Sequence, residues 1–297
     1  MTRRSTRQVP RQHASRARWA IGGVTIVVSI VGAALLAAIM TRVPRDPVPW
    51  ARLGTSDVHS LAFVGADIGH ILFGHHGGLS ASIDGGRSWA PLPVSDDAMS
   101  TASGVDGSIV IAGHDVFSAS GDGGLSWRPI TTDLPSLDIH GFARDPRDPD
   151  RMWTYLAAGG LWQSTDRGAT FARVRADNVL FPTAVASGSS TRLLGIDVTG
   201  LIESLDGGRT WTSLEMPPTF PMTALAASGD GQVLYAGALD GLYRSDDGGR
   251  SWSATSYLGS VFALAASNDG RSVILVDRAT DVYRSDDGGE TWPAPGR

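Results

Sequence analysis

The chain has 297 residues, 42% of them apolar, a formal net charge of −5 and no cysteine, which excludes a disulfide framework, a thiolate metal site and a cysteine nucleophile. The charge is unevenly divided: residues 1–46 hold eight arginines and one acid, Asp46, leaving 17 arginines against 29 acids in the remainder. So acidic a remainder lacks the basic surface that nucleic-acid binding requires.

The first element is the uncharged 22-residue run from Trp19 to Met40. As a helix it spans about 33 Å, the thickness of a bilayer core. Arg3, Arg4, Arg7, Arg11, Arg16 and Arg18 precede it without an acid among them. That asymmetry predicts a basic cytoplasmic tail (1–18) and a transmembrane signal anchor (19–40). A Pro-rich spacer (41–49) then leads to an extracytoplasmic domain over 50–297 at the outer face of the cell membrane. The rival reading, a cleaved signal peptide, has against it an apolar run longer than about 7–15 residues and the lack of a good A-x-A site at its end, although Gly32-Ala33-Ala34 could be cut.

The rest of the chain repeats one octamer: SIDGGRSW at 82–89, SGDGGLSW at 120–127, STDRGATF at 164–171, SLDGGRTW at 204–211, SDDGGRSW at 245–252 and SDDGGETW at 285–292. Its aspartates, Asp84, Asp122, Asp166, Asp206, Asp247 and Asp287, recur at a near-constant period of about 40 residues, the mark of a repeat architecture. The chemistry is that of a tight turn. The aspartate accepts from backbone N–H groups just after it, the glycine two residues on takes positive φ, and the aromatic residue enters the next strand. These six aspartates therefore read as structural.

The pattern S-x-D-x-G-x-[ST]-[WF] resembles the Asp-box, or BNR, repeat of sialidases, xyloglucanases, sortilin-type receptors and photosystem assembly factors, all β-propellers. The resemblance covers residues 50–292 and implies fold rather than activity, because such propellers include enzymes and pure binding scaffolds. Departures matter: no R-I-P segment precedes the first box, and Tyr155, Tyr235, Tyr243 and Tyr283 fit ordinary strand positions, while Tyr257 falls between two units. Sialidase activity is not expected.

Each unit divides into four short strands. In the fifth these lie near 222–228, 232–238, 241–245 and from Ser251-Trp252 onward, as expected for a propeller blade. The prediction is an all-β, six-bladed β-propeller preceded by one transmembrane helix. Trp50-Ala51-Arg52-Leu53 has no box before it and is expected to close the ring as the outer strand of the last blade. That blade's own outer strand is blocked by Pro293 and Pro295.

Aligning the units places the start of each first strand and each second-to-third-strand turn on one rim. Five of the seven histidines fall there, in blades one to three: His59, His75, His76, His114 and His140, with Met99 and Asp115 beside them. Neutral imidazole is a common metal ligand and thioether favours soft or borderline ions, so His59, His76, Met99, His114 and His140 are candidate ligands for copper or another transition metal. Asp57, Asp97 and Asp138 could orient the imidazoles. The competing reading is that the histidines only hydrogen-bond between blades and fill the channel mouth. On function, two readings stand. One is a non-enzymatic binding or assembly module for a ligand, metal or protein partner at this rim. The other is a glycoside hydrolase using rim aspartates, a mechanism that needs two carboxylates roughly 5–10 Å apart.

Overall fold

The computed structural model describes residues 47–55, 57–104 and 106–294. The tail (1–18), the anchor (19–40) and most of the spacer lie outside them. Among the described residues no helix is long and apolar enough to cross a membrane.

The chain forms six four-stranded antiparallel sheets, the blades of a six-bladed all-β propeller. Blade one comprises Ser60–Val64, Asp67–His75, Gly78–Ser82 and Ala90–Pro91. Blades two to five repeat this order. The sixth takes its outer strand from the other end of the chain: Ala51 pairs with Val282 and Arg52 with Asp281. Three further contacts fix this closure. Arg52 Nε donates to Asp281 at 2.7 Å, the Trp50 indole donates to the Pro293 carbonyl at 2.7 Å, and Leu53 is buried.

Apolar residues meet between blades rather than in one central core. One buried cluster fills each junction, such as Leu72, Leu79, Ile109 and Ile111 between blades one and two. Second strands are covered on both faces, so they read as unbroken apolar runs, IVIA at 109–112 and VILV at 273–276. The first strands of all six blades surround a central channel of about 500 Å³.

The Asp-box turns show why the octamer recurs. Asp206 accepts from the backbone N–H groups of Arg209 and Thr210 at 3.0 and 2.9 Å and from the Thr210 hydroxyl at 2.7 Å. These bonds, the Thr210 N–H foremost, lower the Asp206 carboxyl to about 2. Its partner is the box serine, fully buried in every blade. Ser204 Oγ donates to Asp206 and accepts the N–H of Gly208, both at 2.8 Å. Each box glycine sits at positive φ; at Gly86 (φ 98°) a β-carbon would stand 2.7 Å from the Ile274 side chain. Arg167, which follows the box aspartate where the other five boxes have glycine, also takes positive φ, at 61°.

The outer strands depart from expectation. Five of the six are only two residues long, and the fifth blade's begins at Ser253 rather than at Ser251-Trp252. In three boxes the indole folds back to cap its own turn, as Trp211 Nε1 does on the Gly208 carbonyl at 2.9 Å. The aromatic thus ends the turn rather than starting the strand.

Neighbouring blades are also latched on the box rim. A long side chain reaches the carbonyl of the residue after the box aspartate in the next blade. Trp153 does so to Gly207, Arg192 to Gly248, Arg244 to Gly288 and Arg284 to Gly85. These four latches fasten the junctions three–four, four–five, five–six and six–one. Among the described residues the equivalent carbonyls in blades two and three carry no such bond.

Candidate functional site

The opposite rim is built from first-strand starts and second-to-third-strand turns. Backbone bonds hold the starts in blades two and three against the turn of the blade before, Ala98 N–H to the His75 carbonyl at 3.2 Å and Ile139 N–H to that of Gly113 at 3.4 Å. This register brings residues remote in sequence side by side.

Four histidines and three aspartates alternate across blades one to three. His59 Nε2 lies 2.8 Å from Asp57 and 3.2 Å from His76 Nδ1, and His76 Nδ1 itself contacts Asp57. His76 Nε2 faces Asp97 Oδ2 at 3.7 Å, and His114 Nδ1 approaches the same oxygen at 2.6 Å. His114 Nε2 stands 3.3 Å from Asp138 and 3.1 Å from His140 Nε2, which is 2.9 Å from Asp138. Three groups emerge whose donor atoms all lie within 4.8 Å of one another: Asp57, His59 and His76; His76, Asp97 and His114; His114, Asp138 and His140.

The electrostatics fit a cation. Burial, outweighing the neighbouring carboxylates, lowers the pKa of His59, so its imidazole is neutral near pH 7. Burial alone would raise Asp57, but the His76 backbone N–H and the His59 and His76 rings outweigh it and hold the carboxyl below its ordinary value. Asp97 Oδ1 is buried without a hydrogen-bond partner, in the middle of the array.

Other candidates stand elsewhere. The His75 ring accepts the Gly77 N–H at 3.0 Å and packs on Phe73, outside the three groups. Asp115 takes positive φ and is likewise outside them. Met99 lines the channel with His59 and His140. The aspartates Asp57, Asp97 and Asp138, read from sequence as orienting groups, meet the ring nitrogens directly.

The same rim carries a second feature that residue-by-residue reading missed. In blades four to six it exposes Leu180, Phe181, Val198, Phe220, Leu239, Leu258 and Phe262. One half of the rim is thus imidazole and carboxylate, the other an arc of exposed apolar side chains. Register would have shown it, since all seven occupy the same starts and turns as the histidines. The remaining rim aspartates have other tasks: Asp197 pairs with Arg175 at 2.6 Å, Asp240 accepts from Thr219, and Asp277 caps the Ala279 and Asp281 N–H groups.

Residues 243–254 match the family model described as BNR/Asp-box repeat. None of the curated proteins matches the sequence. Similar solved structures include a GH74 enzyme from Niastella koreensis (TM-score 0.53, 16% identity), covering 80% of this chain and 46% of the enzyme. YCF48 from Cyanidioschyzon merolae (TM-score 0.53, 17% identity) covers 84% of this chain and 88% of that one. YCF48 bound to a D1 peptide (TM-score 0.51, 17% identity) covers 79% and 95%. The chain spans less than half the length of the GH74 enzyme but most of YCF48. At these identities the likeness is one of fold: a BNR-type β-propeller.

Proposed function

We propose that the chain is a non-enzymatic binding or assembly module, anchored in the cell membrane by residues 19–40 with its propeller outside, that takes up a transition-metal ion and a protein partner at the histidine-bearing rim. The observation that carries this reading is the convergence of ring nitrogens and carboxylate oxygens from three blades at 2.6–3.7 Å. Nitrogen and carboxylate donors suit copper(II) or zinc better than calcium or magnesium. The exposed apolar arc beside it is the kind of surface that marks protein contacts. Likeness to YCF48, one structure of which holds a D1 peptide, agrees with a peptide-binding role for a propeller of this length. Metal analysis of the full-length chain, purified without a polyhistidine tag, tests the reading: retention of copper or zinc but not calcium supports it, and a metal-free protein that takes up none on dialysis sinks it.

The second reading, a glycoside hydrolase using rim aspartates, draws on the fold shared with GH74 enzymes. Such an enzyme needs one carboxyl group kept protonated, whereas Asp57 and Asp197 are both held below the ordinary range. Release of sugar from xyloglucan, abolished by Asp97→Asn or Asp138→Asn, would favour this reading over the first.

A further inference from the structure

The three donor groups on the rim share members. His76 belongs to the first and second, His114 to the second and third, and each uses a different ring nitrogen in each group. The groups differ in shape. A tetrahedral ion bonded to nitrogen and oxygen at about 2.0–2.1 Å holds its donors about 3.3 Å apart. In the third group the separations are 2.9, 3.1 and 3.3 Å. In the first, His59 Nε2 stands 2.8 Å from Asp57 and 3.2 Å from His76 Nδ1. The third group comes within a few tenths of an ångström of a tetrahedral face on all three edges, and the first does so on the two edges that meet at His59, its His76–Asp57 edge being shorter. The middle group does not: His114 Nδ1 at 2.6 Å from Asp97 is at hydrogen-bonding distance, and His76 Nε2 at 3.7 Å lies beyond it.

Counting protons favours the same division. A neutral imidazole carries one N–H, and its other nitrogen offers a lone pair. With the lone pairs of His76 Nδ1 and His114 Nε2 turned to the end groups, both N–H bonds belong to the nitrogens that face Asp97. That arrangement, a carboxylate holding the far side of a metal-ligating histidine, fixes tautomer and ring direction.

Resting on the reading that this rim binds metal, we infer that it holds two transition-metal ions. One is bound by Asp57, His59 and His76 and the other by His114, Asp138 and His140. Asp97 is the positioning residue between them. Two divalent ions offset the charge of the three carboxylates. Three protein donors leave each ion a fourth position, open to water or to a carboxylate or imidazole of a partner.

The test is equilibrium dialysis of the full-length chain, purified without a polyhistidine tag, against zinc(II), with bound metal counted by mass spectrometry. The native chain binds two ions. His59→Ala and His140→Ala each bind one, and the double variant binds none. Asp97→Asn still binds two, each about 10–100-fold more weakly, the two affinities falling together. One ion per native chain, lost outright in Asp97→Asn, would overturn the inference in favour of a single central ion. No ion at all would overturn the metal reading of the rim itself, leaving the histidine–aspartate contacts as hydrogen bonds between blades. The native count decides between these outcomes even where a variant does not fold.

Discussion

Arg192, on the second strand of blade four, donates to the carbonyl of Gly248 in the box of blade five at 2.6 Å. The same buried guanidinium donates to Glu203 at 2.6 Å and to the Gly231 carbonyl at 3.1 Å. One side chain thus joins two strands of its own blade to two turns of the next. A charge so placed persists because every donor on it that faces protein finds an acceptor.

The counterpart latch between blades six and one is Arg284, which donates to the carbonyls of Ile68 and Gly85. Arg284→Met removes these bonds and leaves two carbonyls unsatisfied, that of Gly85 in a buried setting. The expected loss is about 2–3 kcal/mol, read as a lower midpoint in urea with an unchanged slope. An unchanged midpoint would show that the latches do not hold the blades.

Within each box, Ser204→Ala is expected to cost more than Asp206→Ala, about 2–3 against about 1 kcal/mol. The serine hydroxyl is the acceptor for the buried Gly208 N–H, whereas the N–H groups bound by Asp206 can turn to water. Neither change should alter metal uptake on the far rim. A variant of unchanged melting temperature that had lost binding would contradict the structural role of the boxes.

The boxes also set an acid limit. Asp84 and Asp206 are both lowered to about 2, in Asp84 against the upward pull of burial, and Asp122 likewise by the Ser126 hydroxyl. A folded-state value below the unfolded one means stability that is complete above about pH 4 and lost as pH falls toward 2. Melting temperature should therefore hold steady from neutral pH to about 4.5 and then drop. In Asp206→Asn the drop should be shallower; an equally steep fall would assign acid unfolding to other groups.

Closure by Trp50–Leu53 predicts that Leu53→Ala costs about 2–4 kcal/mol, despite the residue's place at the edge of the domain. Leu53 packs with Leu61, Ile274 and Val282 across the last junction. A loss under 0.5 kcal/mol, measured by urea unfolding, would mean that the ring closes without this strand.

For the anchor, the intact protein should sediment with membranes, with residues 41–297 open to protease added from outside, as the arginine asymmetry of the N-terminal segment implies. A soluble form beginning near residue 35 would show a cleaved signal instead.

The sequence made the propeller legible because each blade repeats a turn whose residue types are fixed by hydrogen bonding, at Ser204, Asp206 and Gly208 alike. The histidine array was legible through register, since His59 and His140 share one position of the repeat and His76 and His114 another, both on the same rim. Ring direction was not, which is why His75 stood beside true neighbours in the alignment yet packs on Phe73, outside the three groups. The starting points of the outer strands were not legible, because an indole that folds back on its own turn, as in three of the boxes, leaves no trace in residue type. Latches such as Trp153 to Gly207 join residues more than fifty positions apart, with no local pattern to mark them.

The four latches on the box rim leave two junctions, one–two and two–three, without one. Those are the two that the histidine–aspartate array spans on the opposite face, through His76 to Asp97 and His114 to Asp138. On the box rim these two junctions are held by other side-chain bonds, Ser103 to the Phe63 carbonyl at 2.7 Å and Arg144 to Ser108 at 2.6 Å, and the array is a second clasp on the opposite face. Whatever binds the closed array tightens that clasp by RT ln(1 + [L]/Kd), so the melting curve of this protein doubles as a gauge of what its rim is holding.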